Sequence, residues 1–294
     1  MDVSDYRKKY EAGLRKVGSK TIDFAAVAEA ISDKGANADQ RAAVIESVPI
    51  DPKGIGGMVE RLLSVVRDRA EPKTVREAAL RALGAASFLG PRFAPHRADY
   101  LQALRELAED PEPGLRESAL ETLAIEKDPF AQELLLKVVK GDIDLVPLAK
   151  AIQLLAYDIH SEIIPAIRDV LKRATGAAKE EALRVLAIDP ESEGLFRRLL
   201  KDKSQPSIIR RLSASGLQAI NPDAFQKAAR EIVSDGKEFK EIIATTLSAL
   251  AHAQEVGKSA ADSALVKHVE NLKERTSSSN VKAAIKRFLQ STHK

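Results

Sequence analysis

VREAALRAL, Val75 to Leu83, and LRESALETL, Leu115 to Leu123, are one phrase written twice. Each opens on an aliphatic residue and a basic one, passes a small residue and a Leu, and ends on a second Leu. On a helix the small residue, the Leu after it and the Leu four positions on share one face. Val75 extends that stripe in the first copy. The small residue admits a close neighbour, and a single helix cannot bury the stripe alone.

Further copies follow. PLAKAIQLL (Pro147 to Leu155), AKEEALRVL (Ala178 to Leu186) and IIRRLSASGL (Ile208 to Leu217) are clear, and QRAAVIESV, KEIIATTLSAL and VKAAIKRFL are weaker. Aligned on the small residue, the anchors are Val44, Ala79, Ala119, Ala151, Ala182, Ser213, Thr246 and Ala284. Their spacings run 35, 40, 32, 31, 31, 33 and 38 residues, a period that marks a helical repeat array. Between the phrases lie partner helices, such as YLQALREL from Tyr100 and SEIIPAIRDVLKR from Ser161. Turn signals separate them: Asp110-Pro111, Asp128-Pro129, Gly141-Asp142, Asp189-Pro190 and Asn221-Pro222. An Asp or Asn before Pro caps the following helix, with Pro in its first turn.

Two helices per unit, with DPEPGLRESALETLA (Asp110 to Ala124) and DKSQPSIIRRLSASGL (Asp202 to Leu217), resemble the HEAT-repeat family, specifically its short bacterial-type units. The resemblance covers roughly residues 38–290 and is specific for architecture. It implies an all-α chain, a right-handed alpha-solenoid of about eight HEAT-like helix pairs and about 15–17 helices. Residues 1–20, with Tyr6, Tyr10, Leu14 and Val17 on one face, read as an N-terminal capping helix; residues 21–294 read as one elongated repeat domain.

Composition agrees with this reading. The chain has 294 residues, 44% of them hydrophobic, but aromatics make up only 4% and Trp is absent, so Ala and Leu must fill the core. Alternating β-branched runs are missing. Cys is absent, which excludes disulfides and thiolate chemistry. No apolar leader stands at the N-terminus and no stretch approaches ~18 apolar residues, so the cytoplasm is the default expectation and no membrane span is expected. The net charge of +3 arises from 46 basic and 43 acidic residues, a solvated surface of mixed sign.

The chemistry of known sites is hard to find. His96, His160, His252, His268 and His293 have no metal-ligand spacing, and Asp158-Ile-His160-Ser-Glu162 reads as an ordinary polar turn. Di-iron HEAT hydroxylases need repeated His-Glu pairs, which this chain lacks; HEAT-like alkylpurine glycosylases need Trp, also lacking; HEAT-like phycobilin lyases offer no sharp motif to test. Gly54-Ile-Gly56-Gly57 lacks the Lys-Ser/Thr of a phosphate loop and reads as an inter-helix turn. No catalytic residue, cofactor or metal is expected.

A solenoid binds along consecutive second helices. The expected partner-binding positions are Arg76, Glu77, Arg81, Arg116, Glu117, Glu121, Lys179, Arg184, Arg210 and Arg211. Their mixed sign suits a protein or peptide partner and a non-enzymatic scaffold. Nucleic-acid binding by the basic C-terminal half (Arg197, Arg198, Lys201, Lys203, Arg210, Arg211, Lys227, Arg230) is the alternative. One column is open to two readings. Arg41, Arg76, Arg116, Lys179 and Arg210 stand three residues before their anchors; they either track a ligand or pair with Asp39, Glu71, Asp110 and Asp202 in an inter-repeat ladder, and the ladder is preferred. The stretch Ser87 to Tyr100 widens one spacing and concentrates Phe88, Phe93 and Tyr100. Either it is a binding loop or, the favoured reading, its aromatics tuck onto their own repeat.

The register makes a direct prediction. Leu123, four residues after its anchor, should be fully enclosed. Leu123→Ala should cost about 2–5 kcal/mol in denaturant melts; a loss below about 0.5 kcal/mol would put the phrase in another register.

Overall fold

The computed structural model describes residues 24–47, 55–160, 162–255 and 263–292. The expected capping helix over residues 1–20 lies outside them. Sixteen α-helices and no strand occur among the described residues. In chain order they are α1 (Phe24–Ser32), α2 (Ala38–Ser47), α3 (Ile55–Arg67), α4 (Lys73–Ser87), α5 (Arg97–Leu107), α6 (Pro113–Ile125), α7 (Pro129–Lys140) and α8 (Leu148–Leu155). Then come α9 (Ile163–Val170), α10 (Gly176–Leu186), α11 (Glu193–Lys201), α12 (Ser207–Ile220), α13 (Pro222–Ser234), α14 (Lys240–Glu255), α15 (Ser263–Arg275) and α16 (Ser279–Ser291). Ile55 to Gly57 open α3, so that part of the glycine-rich stretch expected to be a turn is helical.

The contacts divide the chain into two compact units, Met1–Leu134 and Leu135–Lys294. In the first, α2, α4 and α6 pack in succession as one layer, and α1, α3 and α5 as the other. In the second, α8, α10, α12, α14 and α16 form one layer, with α11, α13 and α15 along the other. The second helices meet more extensively than the first helices throughout the second unit, and α2 and α4 do so in the first; their layer is called the inner layer below.

The anchors explain this closeness. Ala79, Ala119, Ala151, Ala182, Ser213 and Thr246 are wholly buried, and Val44 and Ala284 nearly so. Four positions on, Leu83, Leu123, Leu155, Leu186 and Leu217 are likewise sealed. Within one repeat, Gly216 of α12 serves the same end, since a Cβ there would stand 2.6 Å from Cε1 of Phe196 on α11. Three of the five turn signals cap as expected, whereas α6 is N-capped at Glu112 rather than Asp110 and α8 at Pro147, beyond Gly141-Asp142. Asn221 accepts from the Ala224 N–H at 3.0 Å, Asp128 from Phe130 at 3.1 Å and Asp189 from Glu191 at 3.3 Å.

The widened repeat resolves toward its favoured reading. Two short 3₁₀ turns, Gly90–Arg92 and Ala94–His96, fold the segment, with Gly90 at φ +60°. Phe93 and Tyr100 are buried and meet edge-on at 5.4 Å. Burial pushes the Tyr100 phenol up to about 12, against the opposing effect of its hydrogen bond with Thr122. Phe88 departs from the reading and is 90% exposed.

Three of the five cations in the column form an inter-repeat ladder. Arg41 on α2 donates to the Ile31 carbonyl in the last turn of α1 at 2.6 and 3.0 Å, and to both Glu71 oxygens at 2.6 and 3.0 Å. Arg76 on α4 donates to the Val66 carbonyl of α3 at 3.0 Å and to Asp110 at 2.6 Å. Arg210 on α12 donates to the Leu200 carbonyl of α11 at 2.8 Å and to Glu238 at 2.6 and 2.7 Å. One side chain thus caps its own repeat's first helix and grips the turn of the next. Glu71 and Asp110 are the expected acids; Glu238 takes the third place. Asp202 instead holds Ser204 and Gln205, and Gln205 receives Lys179 at 2.9 Å.

Burial raises the carboxyls of Asp110 and Glu238, but hydrogen bonds from Arg76 and Arg210 and from the Glu112 and Phe239 N–H groups outweigh it, leaving both below the ordinary carboxylate range. Asp189 is lowered in the same way, against its burial, by Arg168 and Ser192. A carboxyl depressed on folding adds stability above its unfolded pKa, about 4, and that stability is lost as pH falls through the folded value. The melting temperature should therefore hold from pH 7 to about 5 and fall steeply below about 4; a flat profile to about pH 3 would contradict the ladder. Asp110→Ala, which leaves the Arg76 guanidinium buried without its counter-charge, should cost about 3–5 kcal/mol in urea melts.

Candidate functional site

The ladder decides which expected binding residues reach the surface. Arg76 and Arg210 do not. They are 4% and 1% exposed, because their guanidinium groups serve carbonyl and carboxylate partners inside the repeat stack. Arg116 is half-buried and donates to the Asp110 carbonyl at 2.7 Å, its Nε having no partner. Lys179 is half-buried against Gln205.

The others lie on the inner-layer helices. In the first unit Glu77 and Glu117 are half-buried and Glu121 exposed. Arg81 is exposed and pairs with Glu46 across the α2–α4 contact. In the second unit Arg184 pairs with Glu181 at 2.6 Å and Glu180 at 3.5 Å on its own helix. Arg211 reaches Glu241 of α14 at 3.1 Å, and its Nε is buried without a partner.

Arg211 leads to a groove that the pattern of charges does not reveal. It encloses about 550 Å³ and is lined from α12 by Arg211, from α14 by Glu241, Ala244, Thr245 and Ser248, and from α16 by Asn280, Ala283, Ala284 and Arg287. Arg287 closes one end with bonds of 2.8 and 3.2 Å to Glu255. A signal for the groove existed. Two residues before the anchor, α4, α6 and α10 carry Glu77, Glu117 and Glu180, whereas α14 carries Ala244; two after it, Ser248 stands where those helices carry Arg81, Glu121 and Arg184. Small residues there leave space over the helix.

The basic C-terminal cluster is largely answered within the chain. Lys201 pairs with Glu231, Lys203 with Asp235, Arg210 with Glu238 and Arg211 with Glu241, each about one repeat further on. Arg197 approaches Glu193 at 3.8 Å.

Asp158 and His160 approach to 3.0 Å, but no group of three or more His, Asp or Glu side chains placed to hold a metal occurs among the described residues. No described helix is long and apolar enough to cross a membrane.

The family model for HEAT repeats matches residues 59–156. Those residues are HEAT repeats. The same anchor phrase continues on both sides of the matched stretch, from Val44 to Ala284. YibA of Escherichia coli, a solved structure, shares the fold of this chain at a TM-score of 0.52 and 16% identity, covering 95% of this chain and 96% of its own. The complex of CpcE and CpcF of phycocyanin lyase from Nostoc sp. PCC7120 aligns at a TM-score of 0.41 and 17% identity, over 93% of this chain and 96% of that one. That score is too low to bear on this chain's chemistry. No curated protein matches the sequence.

Proposed function

We propose that this chain is a non-enzymatic binding scaffold that takes a protein partner on the inner layer of its second helices. The groove over α12, α14 and α16 carries the reading. Its floor is small and its rim polar, so a partner can come close to the helices and still find hydrogen-bonding groups. HEAT repeats build a helical scaffold, and stacked repeats present a strip on which modest contacts add up. The exposed cations flanking the groove belong to surface ion pairs, which are weak and exchangeable for a partner's groups. The expected binding set loses Arg76 and Arg210, which the ladder buries, and gains Thr245, Ser248, Asn280 and Arg287 beside Arg211. The nucleic-acid alternative loses Arg210 to the ladder, and beside Lys201, Lys203 and Arg211 stand Glu231, Asp235 and Glu241, so the face they share is mixed in sign.

The absence of Cys permits a direct test. Ser215→Cys places one thiol on the exposed inner face of α12, and Lys227→Cys places one on exposed α13 of the outer layer. Each is coupled to a bulky maleimide and tested against a partner captured from host extract. The Ser215 label should weaken binding at least about tenfold and the Lys227 label by less than about twofold. The reverse pattern would put the binding surface on the outer layer.

A further inference from the structure

The groove holds more unused hydrogen-bonding capacity than a surface of a repeat stack requires. The side chains of Thr245, Ser248 and Asn280 make no hydrogen bond among the described residues, though all three line it. A Ser or Thr inside a helix commonly bonds back to the carbonyl four residues earlier, as Ser213 does to Ile209 at 2.8 Å. Thr245 and Ser248 do not. Arg211 adds a buried Nε without an acceptor. Beneath these groups Ala244, Ala283 and Ala284 contribute only methyl groups.

We propose that this groove takes an extended acidic segment of a partner protein, its backbone on the alanine floor and its carboxylates at Arg211 and Arg287. The inference rests on the inner-layer reading above and names its class of partner. An extended segment fits better than a helix for a chemical reason. Free hydroxyls and an amide call for free N–H and C=O groups. An extended backbone offers those, whereas a helix has spent its own internally. The charge comes from the surroundings. Lys240, Lys282 and Lys286 are exposed on α14 and α16. With Arg211 and Arg287 they make five cations on these three helices, and the carboxylates paired with the two arginines are Glu241 and Glu255. Those two acids hold the guanidinium groups through exposed pairs, and an incoming carboxylate can share or replace them. Spacing follows from the fold. Three neighbouring helices span about 20 Å at the usual separation, which an extended chain crosses in about six residues. Side chains alternate along such a chain, so its two acids stand an even number apart, about four to six residues.

The test uses two fluorescein-labelled Ser-Ala peptides of about fourteen residues, one with Glu at two positions six apart and one with Lys there. Anisotropy with the full chain at low salt should show the Glu peptide binding at least about tenfold more tightly than the Lys peptide, the preference shrinking as salt rises. Arg211→Gln with Arg287→Gln should weaken the Glu peptide at least about fivefold. Ala283→Leu fills the floor from an exposed position, leaves the charges in place and should weaken it as well; circular dichroism confirms that each variant folds. Equal binding of the two peptides, or binding indifferent to Ala283→Leu, overturns the proposal. The broader reading is judged separately. If the Glu peptide fails but the Ser215→Cys label still blocks a captured partner, only the acidic class is lost. If that label leaves the partner bound, the inner-layer reading falls too.

Discussion

A buried guanidinium shared between two repeats is the interaction on which the rest of this structure depends. Arg41, Arg76 and Arg210 each satisfy a carbonyl in the last turn of the preceding helix, a group with no partner inside that helix. The remaining donors then fit a carboxylate one repeat later. Leaving either charge unpaired in the interior is costly, so a slipped register between neighbouring repeats is penalised even though the helix stripes alone would tolerate it. The small anchors make this possible by letting the inner-layer helices approach until the arginine is enclosed.

The same constraint explains where charge is free to act. Arg41, Arg76 and Arg210 are committed to structure by the acids they reach in the next turn. The other two cations of the column reach none, although Asp142, Asp144 and Asp202 stand in the turns that follow them. Lys179 meets the neutral Gln205, and Arg116 turns back to the Asp110 carbonyl. In α8, α14 and α16 the column is apolar, as Leu148, Ile243 and Val281. Outside the column, cations are matched by acids about one repeat away, including Lys201 with Glu231 and Arg287 with Glu255. A basic isoelectric point near 8.9 therefore does not translate into a basic face.

Two surfaces depart from the repeat. Over α14 the inner face gives up long charged side chains for Ala, Thr and Ser, and space appears between α12 and α16 with polar groups around it. Phe88 is the other departure, projecting into solvent from the segment whose Phe93 and Tyr100 turn inward.

The sequence alone carried the periodic facts. Eight anchors, their spacing, the turn caps and the buried Leu four residues on were all legible, because helix geometry ties residue spacing directly to which face is buried. Even the ladder could be inferred, since a cation repeated at one helix position and an acid repeated in the turns attract each other across the stack. Its details could not. Whether Arg210 finds Asp202 or Glu238 depends on how closely α12 lies to the turn before α14, and no spacing along one chain reports that distance. The same holds for exposure. Arg76 and Arg81 sit five residues apart in one phrase, yet one is sealed and the other open, because neighbouring repeats cover one side of the helix and leave the other bare. The groove is the clearest case. Its residues come from three helices spread from Arg211 to Arg287, and each is ordinary until packing sets them side by side.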